Sequence, residues 1–352
     1  MTRSRKSAVD LSEPTGKASG RGAGHPGSRG LVAAASLLLT AGLVAACGSG
    51  DSGGGAAAEE SGGGSAAGTT TVRVATNNAI GALPVLVAEE QGFFEDHDLE
   101  VTHEVVPNIT LIPATLGSTY DLGYSVGPIM INAASQGIPV VAVSGNEYNS
   151  SDLNTLQVIA RDGISSPEDL EGKRVAAPTI VGNLNLATQH WLEENGVDPK
   201  SVTFVEVPTP TMIQQLEAGV VDAVELQYPF IPQALDKGFE SLGDPILSID
   251  DPMPMTFWMG TKTWVDENGE AADAFRDALD DAMAWITDNP DEAYQMASDF
   301  TQVPLDLVKD IPLEQFSTDY SADALQSWGD VMKEQAGFAG SVNYDDMVHD
   351  QG

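Results

Sequence analysis

From residue 71 onward, short apolar runs of period two alternate with longer stretches of helical period, each bounded by Gly or Pro. Thr71-Val72-Arg73-Val74-Ala75-Thr76 alternates as a strand does. Gly81 and Pro84 then open a helix through Leu83, Leu86, Val87 and Ala88, which Gly92 closes. Residues 99–106, 121–126 and 139–143 predict three more strands, and Pro128 starts a helix that stops at Gly137. The pattern restarts with a strand at 157–160, a cap at Ser166-Pro167 and a strand at 174–177. Strands at 202–207 and 223–226 follow, with helices over 183–195 and 211–218. From Glu270 the chain reads as helices stopped at Asn289-Pro290, Pro304 and Pro312. Strand and helix in alternation imply an α/β fold, mainly parallel sheets with helices on both faces.

The two halves share a detail. Asp121-Leu122-Gly123-Tyr124-Ser125-Val126-Gly127-Pro128 matches the spacing of Asp222-Ala223-Val224-Glu225-Leu226-Gln227-Tyr228-Pro229. Each is Asp, a short strand, then Pro at a helix start, and each follows a helix expected to end in Gly (Gly117, Gly219). Strand-turn-Pro-helix is common, but two copies at matching places suggest two similar lobes. Open α/β sheets bind ligands at the carboxyl ends of strands, beside helix N-termini. Two such lobes face to face would enclose a cleft.

Ahead of residue 71 the character changes. Arg3, Arg5, Lys6, Lys17, Arg21 and Arg29 precede an uncharged stretch from Leu31 to Ala46, short for a membrane span. It ends in Val44-Ala45-Ala46-Cys47, which resembles a bacterial lipobox, where a signal peptidase cuts before a cysteine that is then lipidated. An uncleaved anchor helix or a buried thiol suits a lone Cys at this junction less well. Residues 1–46 are therefore expected to be a signal peptide and Cys47 a lipid attachment site on the outer face of the cell membrane. Residues 47–70, with no large apolar side chain after Cys47, read as a flexible Gly/Ser tether.

Six of the 16 basic and two of the 52 acidic residues precede Cys47, so the remainder carries 10 and 50, a net charge of −40. That field excludes nucleic-acid binding and adhesion to anionic membranes through general charge. Disulfides are excluded by the single cysteine, so the core must be hydrophobic.

Four segments resemble one family: Val72-Arg73-Val74-Ala75 through Ala88-Glu89-Glu90-Gln91-Gly92-Phe93-Phe94; Asp121-Leu122-Gly123-Tyr124; Gly163 through Pro167 to Val175; and Leu216-Glu217-Ala218-Gly219 through Ala223. In this order they are similar to the SsuA/THI5-like solute-binding proteins that serve ABC importers for nitrate, alkanesulfonates, taurine and thiamine-pyrimidine precursors. The resemblance implies a two-lobed periplasmic-binding-protein type II fold, mixed sheets flanked by helices and two crossover segments. It places residues 71–157 and 260–352 in lobe 1 and 158–259 in lobe 2. It implies a monomeric, non-enzymatic receptor with no cofactor, whose partners are a small-molecule solute, an ABC permease and its ATPase, and a membrane through the lipid anchor only. A ligand-presenting sensor for a membrane signalling protein would use the same cleft. One departure is Pro113, which predicts a late-starting second helix with Pro113 at N1.

By the same analogy the ligand should touch loops after strands. These give Asn77, Asn78, Ser125 and Gly127 in lobe 1, and Thr179, Gly182, Asn183, Glu225, Gln227 and Tyr228 in lobe 2. Asn77-Asn78 and Thr179 to Asn183 also suit turns and caps. Tyr228 and Trp258 could stack on a ring, or serve as packed core aromatics. A cleft-facing Glu225 would repel a sulfonate or nitrate and favour an amine; facing away, it would hold a neighbouring helix. Scarce basic residues in these loops point the same way, toward a neutral or nitrogen-containing solute. Enzyme chemistry has little support. His97, His103, His190 and His349 lack metal-ligand spacing, and no G-x-S-x-G or P-loop occurs. A pyrimidine-synthesising enzyme of this fold has a cysteine cluster, which this chain lacks.

Overall fold

The computed structural model describes residues 69–180 and 182–349. The signal segment, Cys47, nearly all of the tether and Val181 lie outside the described residues. Ten strands form two five-stranded sheets. The first holds β1 (Thr70–Thr76), β2 (Leu99–Val105), β3 (Leu122–Val126), β4 (Val140–Asn149) and β10 (Met253–Thr261), in the order β2-β1-β3-β10-β4. The second holds β5 (Leu156–Ala160), β6 (Arg174–Ala177), β7 (Thr203–Glu206), β8 (Ala223–Gln227) and β9 (Glu240–Gly243), in the order β7-β6-β8-β5-β9.

The sheets share one plan. Three parallel strands are followed by an antiparallel one, β10 in the first sheet and β5 in the second, and then by an edge strand. The matched aspartates do the same work in each. Asp121 accepts the Arg73 backbone N–H at 2.9 Å and pairs with the Arg73 guanidinium at 2.7 Å. Asp222 accepts the Arg174 backbone N–H at 2.9 Å and the Arg161 Nε–H at 2.8 Å. Each carboxylate thereby ties the start of one parallel strand to the next, which accounts for the repeated Asp.

Helices cover both faces of each sheet, as the near-continuous apolar strands require. Helix Leu83–Gln91 takes Pro84 in its first turn, where the missing N–H costs nothing, and ends at Gly92 with φ +84°, a conformation that favours glycine. Together with Gly269–Asp288 it covers one side of the first sheet, through Val85, Val87, Phe275 and Leu279. On the other side lie helices Gly127–Ser135 and Ala322–Ala336, through Met130, Leu325 and Trp328. The C-terminal helices thus belong to the first sheet's core. Two smaller clusters, centred on Leu192 and Met212, flank the second sheet.

Three expectations need correction. The chain returns to the first sheet before Met253, because β10 pairs with both β3 and β4, so a boundary at 259/260 would cut through a central strand. No α-helix starts at Pro113. Residues Ile109–Ala114 form a 3-10 helix capped by Asn108, whose side chain accepts the Thr110 N–H at 3.0 Å. The chain then turns at Gly117 (φ +76°), which leaves no room for further helical turns. The strand expected at 139–143 runs on to Asn149, and β9 and β10 form where the residue pattern predicts no strand.

Candidate functional site

A cleft of about 1030 Å³ opens where the strands of both sheets end. From the first sheet it is lined by Asn77 after β1, Val126 at the end of β3 and Pro128 just beyond it, Glu147 and Tyr148 on β4, and Met255 and Thr256 on β10. From the second come Thr179 after β6, Thr209 after β7, and Gln227 with Tyr228 at the end of β8. Three helices also start there: Gly127–Ser135, Asn183–Glu194 and Thr209–Glu217. None of the three has a side-chain cap bond, but Pro128 and Pro210 carry no N–H and the Thr211 N–H is taken by the Pro208 carbonyl, so of the three it is helix Asn183–Glu194 whose first turn best offers N–H groups to an acceptor on a ligand. A second hollow, of about 810 Å³, lies between helices Leu83–Gln91 and Pro290–Thr301, away from any strand end.

Six of the expected residues meet in the cleft: Asn77, Thr179, Gly182, Asn183, Gln227 and Tyr228. Five do not. Asn78 is exposed beside the rim, one residue past Asn77. Ser125 is fully buried between the cleft-lining Tyr124 and Val126, because successive strand residues point to opposite faces. At Gly127 a Cβ would lie 2.6 Å from the Trp328 ring, so that position is packing, not lining. Trp258 is fully buried in β10, its Nε1–H donating to Asn146 Oδ1 at 2.9 Å.

Glu225 also faces away from the cleft. It is fully buried and accepts Asn185 Nδ2–H at 2.9 Å. Asn185 in turn accepts Gln189 Nε2–H at 2.8 Å, so Glu225 holds the first turns of helix Asn183–Glu194 against β8. Burial pushes its carboxyl up to about 8, against a smaller pull downward from Asn185 and Thr188. Its Oε2 has no partner among the described residues.

The carboxylate that does reach the cleft is Glu147, which pattern reading passed over. Tyr124 Oη–H donates to its Oε2 at 2.9 Å and Thr256 Oγ1–H at 3.0 Å. Burial raises its pKa, and the two hydroxyl donors pull it back. The Tyr124 hydroxyl is pushed well up by its own burial and by this neighbour. A Cβ on Gly81 would lie 2.6 Å from Oε2 and 2.9 Å from the Tyr124 ring, so glycine makes room for the pair. Among the described residues lining the cleft, Glu147 alone bears a formal charge, and no Lys, Arg or His joins it. No group of His, Cys, Asp and Glu suited to a metal ion occurs among the described residues.

Two sheets of one plan, crossed twice by the chain and meeting at a cleft, define a periplasmic-binding-protein-like fold. The crystal structure of the periplasmic aliphatic sulphonate binding protein SsuA from Escherichia coli matches it with TM-score 0.69 at 14% identity, over 80% of this chain and 92% of that one. The chain belongs to the NMT1/THI5-like family, whose model matches residues 80–293. Its sequence relatives include the formylaminopyrimidine-binding protein of Halalkalibacterium halodurans, 28% identical over 214 residues, 59% of this chain and 63% of that protein. Another is the taurine-binding periplasmic protein of Escherichia coli, 29% identical over 164 residues, 45% of this chain and 48% of that protein. These relatives are solute-binding proteins rather than enzymes, and the fold and family are those expected from the sequence.

Proposed function

We propose that this chain is the extracytoplasmic receptor of an ABC importer, which captures a small organic solute between its two sheets and presents it to a permease and its ATPase. The observation that carries this reading is the cleft itself. Strand ends, uncapped helix starts and the two tyrosines Tyr148 and Tyr228 converge on one volume from two separately built sheets. A solute there touches both sheets only when they are close together, so binding favours the closed arrangement. The permease then reads closure. The taurine- and formylaminopyrimidine-binding relatives support a solute of that size.

A thermal-shift screen of the folded chain against sulfonates, taurine, nitrate, pyrimidines and amines tests this. A solute at about 100 times its Kd adds about 2.7 kcal/mol to stability, a shift of several degrees. No shift with any class would remove the receptor reading.

The reading includes a lipid anchor at Cys47, supported by the lipobox-like Val44-Ala45-Ala46-Cys47. Two or more acyl chains hold a protein to a membrane stably, where one holds it marginally. Cys47→Ser is expected to move the protein from the membrane fraction to the medium or to leave it unprocessed. A mutant that is still processed, and stays membrane-bound through alkaline extraction, would exclude lipid attachment at this cysteine.

A further inference from the structure

The polar groups of the cleft floor are unevenly supplied. Glu147 Oε2 already accepts two hydroxyl protons, while Oε1 has no donor among the described residues. Asn77 Oδ1, close by at the Tyr124 hydroxyl, is buried and has no hydrogen-bond partner among the described residues. Both are acceptors that water or a ligand must satisfy. Among the described lining residues the single formal charge is negative, and no Lys, Arg or His answers it. Helix Asn183–Glu194 begins on the other side of the cleft with no capping side chain, and its first N–H groups suit an acceptor group instead. The cleft therefore asks for a solute with N–H donors at one end and an acceptor at the other.

Resting on the solute-receptor reading above, we propose that Glu147 anchors a basic, N–H-bearing nitrogen of the solute, so that the cleft selects organic nitrogen bases over matched compounds in which that nitrogen is oxygen. The ligand nitrogen donates to Glu147 Oε1 and to Asn77 Oδ1, and its positive charge is met by the carboxylate. Tyr124 and Thr256 fix the carboxylate by holding its other oxygen, and Gly81 leaves the space for it. An anion without such a nitrogen meets an unanswered carboxylate, which is the repulsive half of the selectivity.

Burial adds a pH signature. Protonation of Glu147 competes with a cationic ligand, so affinity falls as pH falls, starting above the usual carboxylate range. Among the described residues, Tyr124 is the titratable side chain packed on this carboxylate, and it stays protonated throughout that window.

Calorimetric titration of the full chain with matched pairs tests the proposal: taurine against isethionate, and 4-amino-2-methylpyrimidine against its 4-methoxy counterpart, which has no N–H. The nitrogen-bearing member of at least one pair should bind and its partner should bind at least ten-fold more weakly. Glu147→Gln keeps an acceptor for Tyr124 and Thr256 and removes the charge; it should weaken the nitrogen base roughly ten- to hundred-fold and flatten the pH dependence. Gly81→Ala, which crowds the same oxygen, should weaken it as well while Glu147→Gln melts like wild type without ligand. Equal affinity within each pair, or an unchanged affinity in Glu147→Gln, overturns the proposal and leaves the receptor reading standing. If the oxygen or sulfonate members alone bind, the proposal likewise fails and the receptor reading stands. If no compound in these pairs or in the wider screen binds, both fail.

Discussion

Glu225→Gln is expected to make the protein more stable above neutral pH and to flatten its pH dependence. In the wild type, burial raises the Glu225 carboxyl from an ordinary 4.5 to about 8. Between those values the native state keeps a proton that the unfolded chain has lost, so stability falls as pH rises through the window and levels off above it. At 1.36 kcal/mol per unit, the full span costs on the order of 5 kcal/mol. The amide removes this cost, although the cost of an unpartnered donor at the Oε2 position, about 1–3 kcal/mol, offsets part of the gain. Asp244, raised by burial to about 6, acts with the same sign but only below that pH. Urea unfolding at pH 6, 7, 8 and 9 isolates Glu225. Parallel curves for the two proteins would mean that Glu225 is not held protonated.

Trp258→Ala is expected to cost about 3–5 kcal/mol, the range for emptying a large aromatic site in a packed core. The indole lies edge-on to Tyr124 and to Phe275, each at 5.7 Å between ring centres, and Phe275 stacks on Phe94 at 5.5 Å. Asn146 Oδ1 also loses its donor. Trp258→Phe should recover much of the packing but not that hydrogen bond. Because Tyr124 carries the Glu147 contact, the Ala variant should bind solute more weakly as well, in proportion to its loosened core. Denaturant midpoints and affinities measured together decide the matter. A large loss of affinity at nearly unchanged stability would make Trp258 a ligand contact after all.

These two residues show where pattern reading works and where it stops. The parallel strands were legible because their apolar runs are bounded by Gly and Pro, and the loops after them supplied six cleft residues. Within a loop or strand the parity was not legible: Asn77 and Asn78, or Tyr124 and Ser125, differ by one position and face different ways. β4 was cut short because Ser144-Gly145-Asn146-Glu147 reads as polar and turn-like. Its polarity is absorbed inside the sheet, Ser144 donating to the Gly145 carbonyl at 2.6 Å and Asn146 Nδ2–H to the Gly81 carbonyl at 2.9 Å. Glu147 was hidden by that same absorption. β10 carries Pro254 and Gly260, both unusual in a central strand. Pro254 lies where the pairing with β4 shifts register, which is what lets the strand tolerate it. No local signal reveals such a position, since its partners lie more than a hundred residues earlier in the chain.

The placement of β10 has a consequence for the order of assembly. The second sheet is built from one continuous stretch, Leu156 through Gly243, so it can close as soon as that stretch is available. The first sheet cannot. β3 and β4 have no partner in each other, and only β10 joins them. During synthesis from the N-terminus, β3 therefore waits with an open edge while the whole second sheet is made. The half that comes first in the sequence is the last to be completed. Long-range closure of this kind is slow, and the interval before Met253–Thr261 arrives is when the unpaired edge of β3 is most exposed to misassociation.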